Sequence, residues 1–180
     1  MPIQEKLTGL WHNISSTALM FNIKGDVNGR HNYPLKPALN PILGLLFVIG
    51  FAVAIKSAFV KTTADKQWDN NNNKLFLFYF LLSILPAIMT YPWENPNMLR
   101  TYTILPSVVY FIGNAIIILE TAASKIIVKK KFISCFLFLV ILFSCLYELR
   151  TYFKYQSIVF NQSFEIKLPL EKAIKVKLRP

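Results

Sequence analysis

Arg30 and His31 are adjacent side chains that could together bind an anion. They lie in residues 25–34, a segment rich in glycine and asparagine that comes just before a long apolar stretch. A guanidinium can donate two parallel hydrogen bonds to phosphate oxygens, and an imidazole can add one directed bond. The same composition is typical of a plain structural loop built from turn residues. Both interpretations fit this segment when it is taken alone.

The segment opens like a calcium-binding loop but does not complete one. Asp26 and Asn28 stand at its first and third positions, where calcium loops carry carboxylate or amide ligands. Arg30 then occupies a ligand position, and Pro37 stands where the bidentate glutamate is required. We therefore predict no metal site.

A second polar segment, residues 91–101, also precedes an apolar stretch and contains Arg100 as its one basic residue. An unpaired guanidinium about one helical turn from an apolar core is costly, and Glu94 is the candidate partner. One interpretation is that Arg100 is an anchor that snorkels to a membrane surface. The other is that it contacts the phosphate of a lipid-linked substrate.

Sequence motifs of common enzymes are missing from the chain. It contains no phosphate-binding glycine loop, no nucleophile elbow and no zinc motif. Glu120 and Glu148 stand at the ends of apolar stretches, and we interpret them as membrane-interface residues rather than as general bases. The sequence therefore predicts no catalytic residue and no cofactor.

The composition indicates a membrane protein. Hydrophobic residues make up 54% of the 180 positions and charged residues 16%, against roughly 25% charged in a soluble domain. Lys and Arg number 20 and Asp and Glu 9, so the net charge is 20 − 9 = +11. The basic residues are spread along the flanks of the apolar stretches and form no single basic face, so nucleic acid is not an expected partner.

Four apolar stretches predict transmembrane helices: residues 41–60, 75–89, 104–119 and 132–147. The first is long enough to span a membrane unaided, and aromatic and lysine residues at the flanks would complete the crossing of the other three. The alternative is that the four stretches are buried core helices of a soluble protein. The absence of an accompanying polar face argues against it.

The N-terminal residues predict an amphipathic helix that lies in the membrane interface. Apolar side chains recur at helical spacing, at Ile3, Leu7, Leu10, Trp11, Ile14, Ala18 and Phe21. Polar side chains fill the other side, at Gln4, Glu5, Thr8, Asn13 and Ser15. A helix packed on a soluble partner domain would show the same pattern.

Lysine placement predicts the topology, because short lysine-rich loops stay in the cytoplasm. Two connections between the stretches are lysine-rich, with Lys56, Lys61, Lys66 and Lys74 in one and Lys125, Lys129, Lys130 and Lys131 in the other. The N-terminal segment, residues 91–103 and the C-terminal tail would then face outward. The asparagine run at residues 70–73 would be a plain turn in an inside loop.

The order of these residues resembles a known family. Gly25, Asp26, Asn28, Arg30, His31, Asn32, Pro34 and Pro37 match the pattern G-D-x-N-x-R-H-N-x-P-x-x-P, and Asn40-Pro41-Ile42-Leu43-Gly44 matches a following D/N-P-x-x-G. The family is that of the polytopic C-type membrane glycosyltransferases similar to dolichyl-phosphate-mannose protein mannosyltransferases. A second pattern, P-H-x-L-R-x-x-x-x-x-P, is matched by Pro96, Leu99, Arg100 and Pro106, with Asn97 where His is usual.

The resemblance covers residues 7 to 165 and includes an aromatic segment with Tyr152, Phe153, Tyr155, Phe160 and Phe164. It implies transfer of a sugar from a polyprenyl-phosphate-linked donor to an acceptor on the outer membrane face. The family's catalytic aspartate lies in an N-terminal module that precedes the part matched here. The chain therefore resembles a C-terminal portion that is incomplete and inactive alone, with a separate N-terminal half as a partner.

The resemblance also implies site roles. Arg30, His31 and Arg100 would hold the lipid phosphate, while Asp26 and Asn32 would shape the loop and Asp26 would not be the catalytic aspartate. A non-catalytic four-helix membrane scaffold or assembly subunit is the alternative function, and it leaves both motifs unexplained.

The sequence thus predicts an all-α, multi-pass integral membrane protein of a plasma or inner membrane. It would have about four transmembrane helices and an N-terminal interfacial amphipathic helix. Residues 1–37 would form the interfacial helix and outward loop, residues 38–149 the four-helix transmembrane region, and residues 150–180 an outward basic and aromatic tail. Membrane lipids and the lipid-linked sugar donor are the expected partners.

Overall fold

Helices account for all the regular secondary structure of the described residues. A computed structural model of the protein describes residues 2–59, 67–124 and 130–164, and these contain no strand. The prediction of an all-α fold is confirmed over them. The helices are α1 (Ile3–Met20), α2 (Pro41–Phe59), α3 (Gln67–Ile88), α4 (Leu105–Ser124), α5 (Lys130–Arg150) and α6 (Ser157–Phe164). Short 3-10 turns lie at Pro92–Glu94 and Tyr102–Ile104, and a π-helical turn, Thr151–Gln156, joins α5 to α6.

Three helical segments are long and apolar enough to cross a membrane: Pro41–Phe59, Tyr102–Ser124 and Lys131–Phe160. The fourth predicted span, within α3, is not among them. The first turns of α3 carry the polar residues 70–73 and Lys74, so its apolar part is only about 21 Å long at a rise of about 1.5 Å per residue. A fourth crossing stays a prediction.

The sequence predicted a plain turn at the asparagine run, residues 70–73. In the structure these residues are part of helix α3. Asn73 accepts hydrogen bonds from the Tyr110 hydroxyl at 3.0 Å and the Asn114 amide at 2.8 Å, and donates to the Ser57 hydroxyl at 3.1 Å. The turn prediction was wrong because Asn73, as part of a helix, forms these bonds, which join α3 to both α2 and α4. Interhelical bonds of this kind hold apolar helices together.

Phenylalanine rings fill the space between α2, α3 and α4. Phe47 lies at the centre of the cluster, with ring centroids 5.2 Å from Phe21, 5.8 Å from Phe51, 6.1 Å from Phe80 and 6.2 Å from Phe111. These spacings are the ones at which aromatic pairs attract. The ring of Phe21 comes from the residue that follows α1, so the cluster also fixes where the N-terminal helix ends.

Helix α1 packs on the bundle through polar residues. Asn13 donates from its amide to the carbonyls of Ile88 at 2.8 Å and Thr90 at 2.6 Å, and Thr17 donates to the Asn95 side chain at 3.1 Å. The apolar residues Ile3, Leu7 and Trp11 are exposed instead. The position of this helix in a membrane interface stays a prediction.

Helical structure continues from Lys130 to Phe164, so the predicted boundary between residues 149 and 150 falls inside a continuous helical run. Residues 165–180 of the predicted tail lie outside the described residues. The same is true of Lys61, Lys66, Lys125 and Lys129, which carried the orientation prediction. The orientation of the chain therefore stays a prediction.

The close contact of α2 with α4 depends on Gly50. A Cβ atom at this position would lie 1.7 Å from the carbonyl oxygen of Phe111, whereas one on Gly113 would meet nothing within 4 Å. We expect Gly50→Ala to force the helices apart and destabilise the protein by about 1–3 kcal/mol. Gly113→Ala, the matched control, should be neutral or slightly stabilising. Thermal unfolding midpoints in detergent measure both, and equal midpoints would contradict the proposed contact.

Candidate ligand-binding site

The first loop, residues 21–40, is shaped by asparagine and aspartate turns and by one glycine. The Asp26 carboxylate accepts from the Asn28 backbone at 2.8 Å, and the Asn28 side chain accepts from the Arg30 backbone at 3.1 Å. At Gly25 a Cβ atom would lie 1.8 Å from the carbonyl oxygen of Lys36, so the two arms of the loop cross where only glycine fits. These contacts fold the loop back on itself.

Asp26 connects the first loop to the second loop, residues 89–104. Its Oδ2 atom accepts from His31 Nδ1 at 2.7 Å and from the Met98 backbone amide at 3.0 Å. Asp26 is 3% exposed, and its contacts are with protein groups on both sides. The structure therefore gives Asp26 a positioning role, in keeping with its expected role of shaping the loop.

The bond to Asp26 fixes which nitrogen of His31 faces outward. An ionised carboxylate only accepts hydrogen bonds, so Nδ1 carries the hydrogen and Nε2 is the nitrogen left to interact elsewhere. Asn32 is held too, since its amide donates to the Lys36 carbonyl at 2.7 Å. Both side chains line one cavity together with Arg30.

This cavity, which we call the basic cavity, lies between the first loop and the segment that runs from the end of α5 into α6. Its volume is about 440 Å³, within the range of small-molecule sites. The loop side contributes Arg30, His31, Asn32, Tyr33 and Lys36, and the helical side Glu148, Thr151, Tyr152, Gln156, Ser157 and Phe160. Arg30 and Lys36 outnumber Glu148, so its formal charge is 2 − 1 = +1 with His31 neutral.

Two contacts fasten the loop to the helical wall. Lys36 forms an ion pair with Glu148 Oε2, and the Gln156 amide donates to the Gly29 carbonyl at 2.6 Å. Gln156 belongs to the π-helical turn, and such turns are often found at functional sites. The side-chain oxygens that take no part in these two contacts are Glu148 Oε1 and Gln156 Oε1. Both are buried and accept no hydrogen bond from the described residues.

Two further pockets, a middle section and an apolar groove, follow the basic cavity, and each shares lining residues with the one before it. A middle section shares Tyr33, Lys36 and Thr151 with the cavity and adds Tyr147 and Arg150. Tyr147 also lines the next section, the apolar groove, together with Asn40, Pro41, Ile42, Phe143 and Ser144. The apolar groove lies between the start of α2 and the apolar part of α5.

Asn40 holds the walls of the apolar groove together. Its carbonyl-type oxygen accepts from the Leu43 backbone at 3.0 Å, which caps α2, and its amide donates to the Ser144 hydroxyl of α5 at 2.6 Å. Asparagine before a first-turn proline is a strong helix start. The motif residues Asn40 and Pro41 therefore begin α2 and also fix its distance from α5.

Arg100, the remaining predicted site residue, is not among the described residues that line the basic cavity. Its guanidinium forms an ion pair with Glu94 and also donates to the Thr90 hydroxyl, which in turn donates to Glu94 at 3.1 Å. Glu94 is thus the partner predicted from the sequence. The structure brings Arg30, His31 and Asn32 together and places Arg100 in a separate cluster of the second loop.

Sequence reasoning missed three charged or polar residues of the cavity. Lys36 stood inside the first motif without a predicted role, and Glu148 was interpreted as a membrane-interface residue. Nothing in the sequence marked Gln156. The signal that could have found Glu148 is its isolation: a carboxylate at the end of an apolar helix needs a cation, and Lys36 comes from the adjacent loop.

Comparison of the chain with protein-family models, curated proteins and solved structures finds no match.

Removing the Asp26 carboxylate tests the connection between the two loops. Asp26→Ala leaves the Met98 amide and His31 Nδ1 without their acceptor, which costs about 1–3 kcal/mol. We expect faster hydrogen exchange in peptides that cover residues 96–101. Glu120→Ala is the control, because Glu120 accepts an exposed hydrogen bond from Ser134 on helices α4 and α5. Unchanged exchange in Asp26→Ala would contradict the positioning role.

Proposed function

We propose that this chain is the donor-binding membrane portion of a glycosyltransferase that moves a sugar from a polyprenyl-phosphate-linked donor to an acceptor on the outer membrane face. In this proposal the basic cavity holds the phosphate, and the apolar groove holds the first part of the polyprenyl chain. Arg30 donates hydrogen bonds to the phosphate oxygens, and His31 adds one from Nε2 when both ring nitrogens carry a hydrogen. Asp26 and Asn32 keep the loop in the binding conformation.

The observation that carries the proposal is the succession of the basic cavity, the middle section and the apolar groove, each of which shares lining residues with the next. A ligand that fills both must have an anionic head and an apolar tail, which describes a phospholipid-like molecule. The groove follows α2 and α5, two of the helices with the length and composition to cross a membrane. The tail would therefore lie along membrane-depth helix surfaces, and the head would lie where the helices leave the membrane.

Aromatic residues of the second loop support a membrane boundary at this level. Trp93 and Tyr102 are 75% and 70% exposed, and the Tyr91 and Trp93 rings stack at 4.6 Å. Exposed tryptophan and tyrosine side chains are typical of the membrane interface. The second loop is adjacent to the basic cavity through the bond between Asp26 and Met98.

The charge of the cavity matches a phosphodiester. Arg30 and Lys36 together with Glu148 give the lining of the cavity a formal charge of +1. A sugar joined to a polyprenyl chain through one phosphate carries a single negative charge. The proposal therefore assigns the phosphate to Arg30 and leaves Arg100 to its ion pair with Glu94.

The motif resemblance adds the reaction and the division of roles between this chain and an N-terminal module. Among the described residues that line the cavity, Glu148 is the one carboxylate, and it is already paired with Lys36. The proposal therefore gives this chain donor binding and gives the catalytic carboxylate to an N-terminal module. Transfer of sugar by this chain alone would contradict that division of roles.

Binding of geranyl phosphate mannose, a short-chain donor analogue, tests the phosphate site. We expect Arg30→Ala to weaken binding by tenfold or more, about the effect of losing hydrogen bonds to a charged group. Isothermal titration of the full chain in a non-ionic detergent measures the dissociation constant.

Arg100→Ala is the matched control, since it removes a guanidinium that bonds to Glu94 and Thr90 outside the cavity. Its affinity for the analogue should stay within about twofold of the unchanged protein, because no phosphate contact is lost. Equal losses in the two variants would contradict the assignment to Arg30. Absence of binding by the unchanged protein would favour the membrane scaffold instead.

A further inference from the structure

We infer that Glu148 and Gln156 form a sugar subsite in the basic cavity, which selects a donor whose sugar is neutral and rich in hydroxyl groups. The inference rests on the proposed function, because it assigns the part of the same donor that lies beyond the phosphate. The structure shows two acceptor oxygens on the helical wall whose partners are missing among the described residues.

The bonds that each side chain already forms explain which of its oxygen atoms is left available. Glu148 uses Oε2 for Lys36, and Gln156 uses its amide nitrogen for the Gly29 carbonyl. Each residue is thereby held in place and keeps one acceptor oxygen. A buried acceptor without a partner is costly, so such an atom indicates a donor group that arrives with a ligand.

Two acceptors on one wall call for a ligand with several hydrogen-bond donors. Sugar hydroxyls fit this requirement, whereas phosphate oxygens and hydrocarbon chains have no hydrogen to donate. Both oxygens are screened by the cavity wall, and Gln156 is only 7% exposed. A hydroxyl reaches them when neighbouring side chains of the wall change rotamer on binding, a common response at binding surfaces.

The position of the two residues fits the order of groups in the donor. Lys36 and Thr151 line both the basic cavity and the middle section, so the tail leaves on that side. Glu148 and Gln156 line the basic cavity and not the middle section. The sugar would therefore lie in the part of the basic cavity away from the middle section, beyond the phosphate, with the Tyr152 ring as a further wall.

Titration of the full chain in a non-ionic detergent with three ligands tests the inference: geranyl methyl phosphate, geranyl phosphate mannose and deoxy forms of the mannose ester. Geranyl methyl phosphate is a diester with the same single negative charge as the mannose ester, so the two ligands differ in the sugar and not in charge. We expect the mannose ester to bind more tightly than geranyl methyl phosphate. Removing the hydroxyls that meet the two oxygens should weaken binding by about five- to tenfold for each lost bond. This arm uses the unchanged protein and so does not depend on the folding of a variant.

Gln156→Leu provides the second arm. Its affinity for the mannose ester relative to geranyl methyl phosphate should fall about five- to tenfold, because this ratio cancels any effect of losing the bond to Gly29 that is common to both ligands. The variant should also be insensitive to the deoxy change that affects the same bond. Thr151→Val is the matched control in the same cavity, because the Thr151 hydroxyl already donates to the Tyr147 carbonyl at 3.0 Å. It should discriminate among the three ligands like the unchanged protein.

The paired replacement Lys36→Leu with Glu148→Leu tests the other oxygen at constant net charge. The affinity that the sugar adds, measured as the ratio of mannose ester to geranyl methyl phosphate binding, should fall, whatever the loss of the ion pair does to both ligands alike. Equal binding of the mannose ester and all its deoxy forms by the unchanged protein would overturn the sugar subsite while the phosphate site stands. Failure of geranyl methyl phosphate and the mannose ester alike to bind to the unchanged protein would overturn the proposed function and this inference with it.

Discussion

The Asp26 carboxylate accepts hydrogen bonds from three groups that belong to two separate parts of the chain. Because the carboxylate is buried, the Met98 amide would lose its partner at a cost if the two loops moved apart. The bonds fix the tautomer of His31, the path of the first loop and the position of the second loop relative to it. His31 also lines the basic cavity, so the shape of the cavity depends on this buried carboxylate.

The regular part of the fold could be predicted from the sequence, since apolar runs of the right length admit few structures other than helices. Helix α2 begins at Pro41 as expected because Asn40 caps it, and residues around Leu75 and Leu105 enter helices for the same hydrophobic reasons. The turn prediction for the asparagine run at residues 70–73 was wrong because the turn propensity of asparagine applies to a chain exposed to solvent. Here the side chain of Asn73 has partners on two neighbouring helices, and a local pattern cannot reveal them.

The residues of the candidate site were likewise predictable from the sequence only in part. Arg30, His31 and Asn32 were found because they are adjacent in sequence and their types suit an anion. Glu148 and Gln156 are more than a hundred positions away from them, and they join the site only because α5 returns to the first loop. Arg100 was grouped with Arg30 by motif order, yet its nearest carboxylate is Glu94 in its own loop. The ion pair with Glu94 determines where Arg100 lies. The order of two motifs along the sequence does not give the distance between their residues in the fold.

The π-helical turn at Thr151–Gln156 separates two periodicities along one long helix. An additional residue in a turn rotates every later side chain by about 100° about the helix axis. The turn thus changes the direction in which side chains after it face relative to those before it. The apolar surface of α5 and the polar wall that follows it can therefore face different neighbours. A change in chain length within this turn would be more damaging than most substitutions, because losing one residue would exchange the wall facing the loop for a different set of side chains.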